Sequence, residues 1–339
     1  MKLIVKYFWP GTALNSKINP LAVCLFGIGL WGLTGMAFDS WQRVEVPTKD
    51  GLHDIEWVTQ QIGYAYTYGT GQVLKTENGG NSWKIVNQLD SVYYEQIQFF
   101  DKNNGWICGN KNTLLKTSDG GKNWIRQTVG IDTAGMAFYG MTFKNPDTGY
   151  VAQLIPHEKG LTTRLYQTYD GGSNWKPVHT LDHMILNLEW NNNVLWGSGK
   201  DVIIKDVNKT ERWTYSYRDT SGKVGQIRDL SFLNDGSVLA VSFNGYVLNK
   251  SSGGEWKQEK LTSNHLRSIK TVGNRYRVAA GDKNKEEINL FVKERDKEWK
   301  SSKNGYPDIH RLAVRDKEVW AVGKDGLVMH RQFEKQSSR

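Results

Sequence analysis

Asp119 and Asp170 are the residues placed most suggestively for chemistry, each two residues after a threonine and just before a Gly-Gly pair. They stand in Thr117-Ser118-Asp119-Gly120-Gly121-Lys122-Asn123-Trp124 and Thr168-Tyr169-Asp170-Gly171-Gly172-Ser173-Asn174-Trp175. Either carboxylate would suit a general acid or a metal ligand if it stood alone at a site. A third copy, Thr76-Glu77-Asn78-Gly79-Gly80-Asn81-Ser82-Trp83, has Asn78 where the acid would be. A residue repeated along the chain does not mark one catalytic centre. The motif therefore reads as a turn device: hydroxyl and carboxylate bond turn backbone, glycine takes positive φ, and Trp83, Trp124 and Trp175 are expected to be buried over their turns.

The elements that carry these turns follow from their spacing. Trp41, Trp83, Trp124, Trp175, Trp213, Trp256 and Trp299 are separated by 42, 41, 51, 38, 43 and 43 residues, near the roughly 40–50 of four-stranded propeller blades. A ladder of period-two segments, from Ile55-Glu56-Trp57 to Leu312-Ala313-Val314, supplies strand a of each unit. A second ladder, including Gly63-Tyr64-Ala65-Tyr66, Gly105-Trp106-Ile107-Cys108 and Val319-Trp320-Ala321-Val322, supplies strand b in six units. Strand c leads into the Gly-Gly turn and strand d follows the tryptophan. The expected fold is all-β, a seven-bladed β-propeller of four-stranded antiparallel blades, closed by the N-terminal strand. Residues 300–333 hold only three strands, so 41–46 is expected to complete the last blade and remove the free sheet edges.

In this layout strand a lines the central channel, and the residues entering it lie at the channel mouth. Two positions before the strand a ladder stand His53, Glu95, Tyr139, Leu186, Arg228, Arg267 and His310. One position before stand Asp54, Gln96, Gly140, Asn187, Asp229, Ser268 and Arg311. The alignment assembles a polar mouth with a cationic arc of Arg228, Arg267, His310 and Arg311. A charged concavity is a candidate binding site. The plainer alternative is that these groups pair locally, Arg228 with Asp229 or His53 with Asp54, and merely cap the ring.

The Thr-x-Asp-x-Gly-x-x-Trp pattern resembles the Asp-box, or BNR repeat, of sialidases, some other glycosidases and the photosystem II assembly and stability factor family. Sialidase-like catalysis would use an arginine cluster for the substrate carboxylate, a tyrosine nucleophile with a glutamate base, and an aspartic acid. Arg228, Arg267, Arg311, Tyr139 and Glu95 echo that set. The Arg-Ile-Pro segment of sialidases is absent, the nearest string being Leu154-Ile155-Pro156, and those enzymes have six blades. No enzyme is expected, with a sialidase-like hydrolase or glycan-binding propeller as the alternative. Over residues 40–333 the chain most resembles the photosystem II assembly/stability factor family. That resemblance rests on Trp41-Gln42-Arg43-Val44 followed by Asp54-Ile55, and on Gly105-Trp106-Ile107-Cys108-Gly109 leading through Leu114 to Trp124. It implies a non-enzymatic propeller that assists assembly of a membrane complex by holding a protein segment.

Composition narrows the partners. Net charge is +9, with residues 257–339 at +8 from 20 Lys and Arg against 12 Asp and Glu. Such a flank can meet anionic lipid, acidic protein or polyanionic glycan, and an acidic segment of a membrane or periplasmic protein is the expected partner. Acids interspersed as in Lys293-Glu294-Arg295-Asp296-Lys297-Glu298 argue against nucleic acid. The two cysteines, Cys24 and Cys108, make no disulfide framework. His179 and His183 do not share a helical face, and no phosphate loop precedes a helix, so neither metal nor cofactor is expected. Residues 18–38 carry no charge, with Lys2, Lys6 and Lys17 before them and Asp39 after. Residues 1–38 read as a signal peptide or signal anchor, which puts the ring in the bacterial periplasm or on the periplasmic face of the inner membrane. Residues 39–334 are then a monomeric propeller and 335–339 a polar tail, with the membrane contacted through the N-terminal segment if it is uncleaved.

Overall fold

A computed structural model describes residues 41–333 apart from 91, 131–134, 159, 207–212, 284–288 and 303–304. The leader and the polar tail lie outside the described residues. Seven four-stranded antiparallel sheets form a ring, six with their strands in chain order and the seventh completed by the N-terminal strand. Blade 1 comprises Leu52–Trp57, Gly63–Thr67, Gln72–Thr76 and Lys84–Gln88, and blade 2 begins at Tyr94–Phe99. The inner strands of blades 3 to 7 are Ala137–Phe143, Ile185–Asn191, Ile227–Phe232, Leu266–Val272 and Ile309–Arg315. Each inner strand packs on the next, and the last packs on the first.

The ring closes through the N-terminal strand, which is shorter than the sequence suggests. Gln42–Arg43 pairs antiparallel with Leu327–Gln332, and Val44 N–H adds one bond to Val328 O. Blade 6 also has a strand b that the ladder omits, Tyr276–Gly281. Its Tyr276-Arg277-Val278-Ala279-Ala280-Gly281 puts a charged residue second, where the other copies are apolar or aromatic, and burial begins only at Val278.

Burial is greatest at strand b and falls toward the outer strand for a geometric reason. Strand b is sandwiched between neighbouring sheets, so Gly63–Thr67, Gly105–Gly109 and Val238–Ser242 are buried at every position. Strand d is the outer edge, and Trp256–Lys260 is exposed after its first residue. The edge carries Lys257, Glu259 and Lys260, whose charge discourages pairing with another chain. The apolar core is divided among the blade interfaces. Between blades 7 and 1, for example, Leu52, Ile55 and Trp83 pack against Trp320, Val322 and Val328.

The Gly-Gly turns hold neighbouring blades together. Thr117 Oγ1 accepts from Gly121 N at 3.0 Å and donates to Asp119 Oδ1 at 2.9 Å, and Asp119 Oδ1 accepts from Asn123 N at 2.9 Å. Thr168, Asp170, Gly172 and Asn174 repeat the pattern. In the first copy Asn78 Oδ1 accepts from Thr76 Oγ1 at 3.0 Å and from Ser82 N at 3.0 Å. The turn needs an oxygen acceptor and no charge there, which explains the asparagine. Trp83 and Trp175 are 7% and 8% exposed, whereas Trp124 is only partly buried, a departure from the expected burial of all three. Its Nε1 donates to Gly121 O at 3.0 Å, which keeps the ring beside its own turn.

Candidate functional site at the channel mouth

His53, Glu95, Tyr139, Leu186, Arg228, Arg267, His310 and Arg311 come together around one cavity at the start of the inner strands. Their convergence follows from the repeat: all but Arg311, which is one position further along its strand, occupy equivalent positions on their blades, and a closed ring turns equivalent positions toward one axis. The local pairings differ from the neighbour pairs the sequence suggests. His53 Nε2 stands 3.7 Å from Glu95 Oε2, and Arg228 Nη2 stands 3.8 Å from the same oxygen. His53 and Arg228 each sit at a β-bulge, between Leu52 and Asp54 and between Ile227 and Asp229, and both turn to Glu95, while the aspartates that follow them bond the next blade.

Residues one position further in form a belt between blades instead of a binding surface. Asp54 Oδ2 accepts from Ile97 N at 3.2 Å, Gln96 Oε1 from Met141 N at 2.9 Å, Asp229 Oδ2 from Ile269 N at 3.0 Å and Ser268 Oγ from Leu312 N at 3.1 Å. Each side chain satisfies an inner-strand amide of the next blade. Arg311 belongs to this belt as well as to the cavity floor, with Nε on Asp54 Oδ1 at 3.0 Å and Nη1 3.5 Å from Asp229 Oδ1. Burial lowers the affinity of Arg311 for its proton, but Asp54 and Asp229 outweigh it and hold the guanidinium charged.

The cationic arc is consequently narrower than the sequence implies. Burial first, then the neighbouring His53, pushes His310 down to about 4, so it is neutral near pH 7. Its Nδ1–H donates to Leu52 O at 2.8 Å. Arg311 lies between its two carboxylates in the floor, and of the arc's arginines Arg228 and Arg267 line the wider opening, where Lys111 also stands. Their guanidinium carbons lie 4.9 and 5.2 Å from the Phe243 ring centroid. Arg267 also makes a two-point pair with Asp282, Nη2 to Oδ2 at 3.2 Å. Phe243 was not legible as a site residue: it follows strand b, where no repeated position marks it.

Above this floor the cavity widens to about 650 Å³ between Tyr68 and Met136 on one side and Arg228, Arg267 and Phe243 on the other. The opposite channel mouth is lined by Glu56, Gln98, Thr142, Glu189 and Lys270. Burial pushes the Glu189 carboxyl up to about 7, against the pull of Lys270. A carboxyl raised on folding keeps a proton the unfolded chain has already released, so stability falls as pH rises from about 4.5 through 7. Glu189→Gln is expected to remove this fall. Urea denaturation should show a gain of about 3 kcal/mol at alkaline pH and no change in acid, because a shift of one unit is worth about 1.4 kcal/mol. An unchanged pH profile would sink the assignment.

Tyr139, Glu95 and Arg228 do meet at the mouth, but Asp119 and Asp170 do not join them. Asp119 and Asp170 are held low by hydrogen bonds from Asn123 and Asn174 within their turns. Burial first, then the charge of Glu95, raises Tyr139, which opposes ionisation. Among the described residues no group of three metal-ligating side chains converges, and no helix is long and apolar enough to cross a membrane.

Seven four-stranded blades, Asp-box turns and a polar channel mouth define an Asp-box β-propeller. A sequence profile described as photosynthesis system II assembly factor YCF48 matches residues 33–337, and the chain belongs to that family. It is 24% identical over 341 residues to the photosystem II assembly lipoprotein Ycf48 of Synechococcus sp. (strain CC9902), covering 93% of this chain and 84% of that protein. To the chloroplastic photosystem II stability/assembly factor HCF136 of Arabidopsis thaliana it is 25% identical, covering 85% and 78%. The structure described as YCF48 bound to D1 peptide superposes with a TM-score of 0.70 at 15% identity, over 88% of this chain and 97% of that one. A streptogramin B lyase shares the fold alone, with a TM-score of 0.65 at 12% identity over 86% and 97%.

Proposed function

We propose that this chain is a non-catalytic assembly factor whose channel mouth holds an acidic segment of a membrane-complex subunit. The observation that carries the reading is the Arg228 and Arg267 pair set against Phe243 at the head of the cavity. A guanidinium at a partly dry opening suits a carboxylate, which Arg228 can bind through paired N–H groups, while Arg267, its Nε and Nη2 on Asp282, stands beside it. Arg228 meets Glu95 only at 3.8 Å, beyond hydrogen-bond distance, and so retains donors for a ligand. The D1 peptide bound by a YCF48 of the same fold supports a membrane-protein segment as the class of partner. Neither Asp119 nor Asp170 joins Tyr139 and Glu95, and burial opposes ionisation of Tyr139, which supports a binding role over hydrolysis. Residues 1–38 would export the ring or anchor it, in keeping with relatives named as lipoproteins.

Affinity purification of the tagged full chain from solubilised membranes tests this, comparing wild type with Arg228→Gln/Arg267→Gln. Subunits of a membrane complex should be retained by the wild type at low salt and lost as exposed charges are screened over about 8 Å at physiological ionic strength. The double variant should retain none above background. Equal retention by both proteins would dismiss the mouth as the site, and turnover of a fluorogenic sialoside by the wild type would replace binding with glycoside hydrolysis.

A further inference from the structure

The mouth has a second arc, chemically unlike the first, on blades 1 to 3. Tyr68, Tyr93 and Met136 are 42%, 49% and 54% exposed. Large apolar side chains left in water at one rim mark an interaction surface more often than scattered ones do. The two tyrosines continue a stack that starts deeper in the mouth: His53 to Tyr68 at 4.8 Å between centroids, and Tyr68 to Tyr93 at 4.6 Å. Backbone geometry holds this stack in place. Gly69, at φ +82°, lies so close beneath Tyr93 that a Cβ would come within 3.3 Å of its ring, and Tyr93 N–H donates to Asn110 Oδ1 at 3.1 Å. Tyr68 and Met136 line the same 650 Å³ cavity as Arg228 and Arg267.

We propose that the mouth selects an amphipathic segment: an extended peptide with a carboxylate on Arg228 and Arg267 and an adjoining aromatic or aliphatic side chain against Tyr68, Tyr93 and Met136. This rests on the reading that the mouth holds an acidic segment, and adds that apolar contact decides which acidic segment is held. Exposed ion pairs contribute little net affinity and recur on any acidic surface, so the two arginines alone cannot discriminate. Stacked tyrosines have little rotamer freedom left to lose, and tyrosine and arginine are the residues that concentrate binding energy at interfaces.

Fluorescence anisotropy with the full chain and three labelled synthetic peptides of equal length separates the two ideas: alternating Asp and Phe, alternating Asp and Ser, and alternating Asn and Phe. Wild type should bind the Asp-Phe peptide tighter than the Asp-Ser peptide by about tenfold or more, the size expected for loss of an interface anchor. Tyr68→Ser/Tyr93→Ser should lose that preference while keeping its affinity for the Asp-Ser peptide, with a thermal melt like that of wild type. Arg228→Gln/Arg267→Gln should bind neither acidic peptide. Equal wild-type affinity for the two acidic peptides, or a preference that survives in the tyrosine variant, overturns the inference and leaves the acidic-segment reading standing. Binding of the Asn-Phe peptide as tight as that of the Asp-Phe peptide, or acidic-peptide binding indifferent to the arginines, overturns the acidic reading itself. Binding of none of the three overturns both.

Discussion

Asp229→Ala is expected to destabilise the ring by about 3–5 kcal/mol, the usual consequence of removing one partner from a buried charge cluster. Asp229 has a side chain only 2% exposed, and it joins three blades. It accepts from Leu230 N at 3.1 Å on its own strand, from Ser268 Oγ at 2.6 Å, Ile269 N at 3.0 Å and Lys270 Nζ at 2.8 Å on the next, and lies 3.5 Å from Arg311 on the one after. Alanine would leave Lys270 beside a vacant site and strip the acceptor from three buried donors. Burial alone would raise the Asp229 carboxyl, but Lys270, Arg311 and the hydrogen bonds together hold it below the usual carboxylate range. A carboxyl lowered on folding stabilises above the unfolded pKa of about 4 and loses that contribution as pH falls through its folded value. Urea denaturation at neutral pH and in acid measures both effects. A loss below about 1 kcal/mol at neutral pH, the scale of one ordinary hydrogen bond, would show that the cluster does not hold the blades together.

Gly172→Ala should cost about 3 kcal/mol or more, combining a left-handed backbone penalty of about 1–2 kcal/mol with overpacking of about 1–3 kcal/mol. Gly172 has φ +83°, and a Cβ there would stand 2.8 Å from Trp106 Cζ2 and closer still to Cη2. Trp106 is on strand b of blade 2 and is 1% exposed, so it has nowhere to go. Gly80 lies over Trp320 in the same way between blades 1 and 7. Gly160 makes a fair control, since its φ of +128° is also positive but no atom stands within 4 Å of the added methyl. If alanine at Gly172 and at Gly160 lowers the midpoint equally, backbone strain accounts for the cost and the interblade contact contributes nothing.

These two positions show where reading the chain succeeds and where it stops. The repeat spacing of the tryptophans and the period-two ladders set the number of blades, because each blade has to bury the same faces against its neighbours. Closure by residues near 42 follows from a count of strands. Even the membership of the mouth, from His53 round to Arg311, can be read off the alignment of repeats, since ring closure carries equivalent positions to one axis. Blade 6 escaped only in part, where Tyr276–Gly281 lacks the sequence marks of its counterparts.

Charge state and partnership at those positions came from three-dimensional packing. His310 and Arg311 are adjacent and both basic in sequence, yet burial beside His53 neutralises the first while Asp54 and Asp229 keep the second charged and occupied. Residues 257 and 82 positions away in the chain supply those carboxylates, and only ring closure and the meeting of inner strands bring them near. Gly80, Gly121 and Gly172 can each be recognised locally as turn residues, but the rings of Trp320, Tyr64 and Trp106 beneath them belong to other blades. The stack of Tyr68 on Tyr93 joins the b–c turn of one blade to the approach of the next, at positions no repeat marks. Periodicity reports which face a strand buries, because that depends on its own residues. It is silent on what meets that face across a blade interface, because dielectric, hydrogen-bond partners and close approach there depend on distances between segments far apart in the chain.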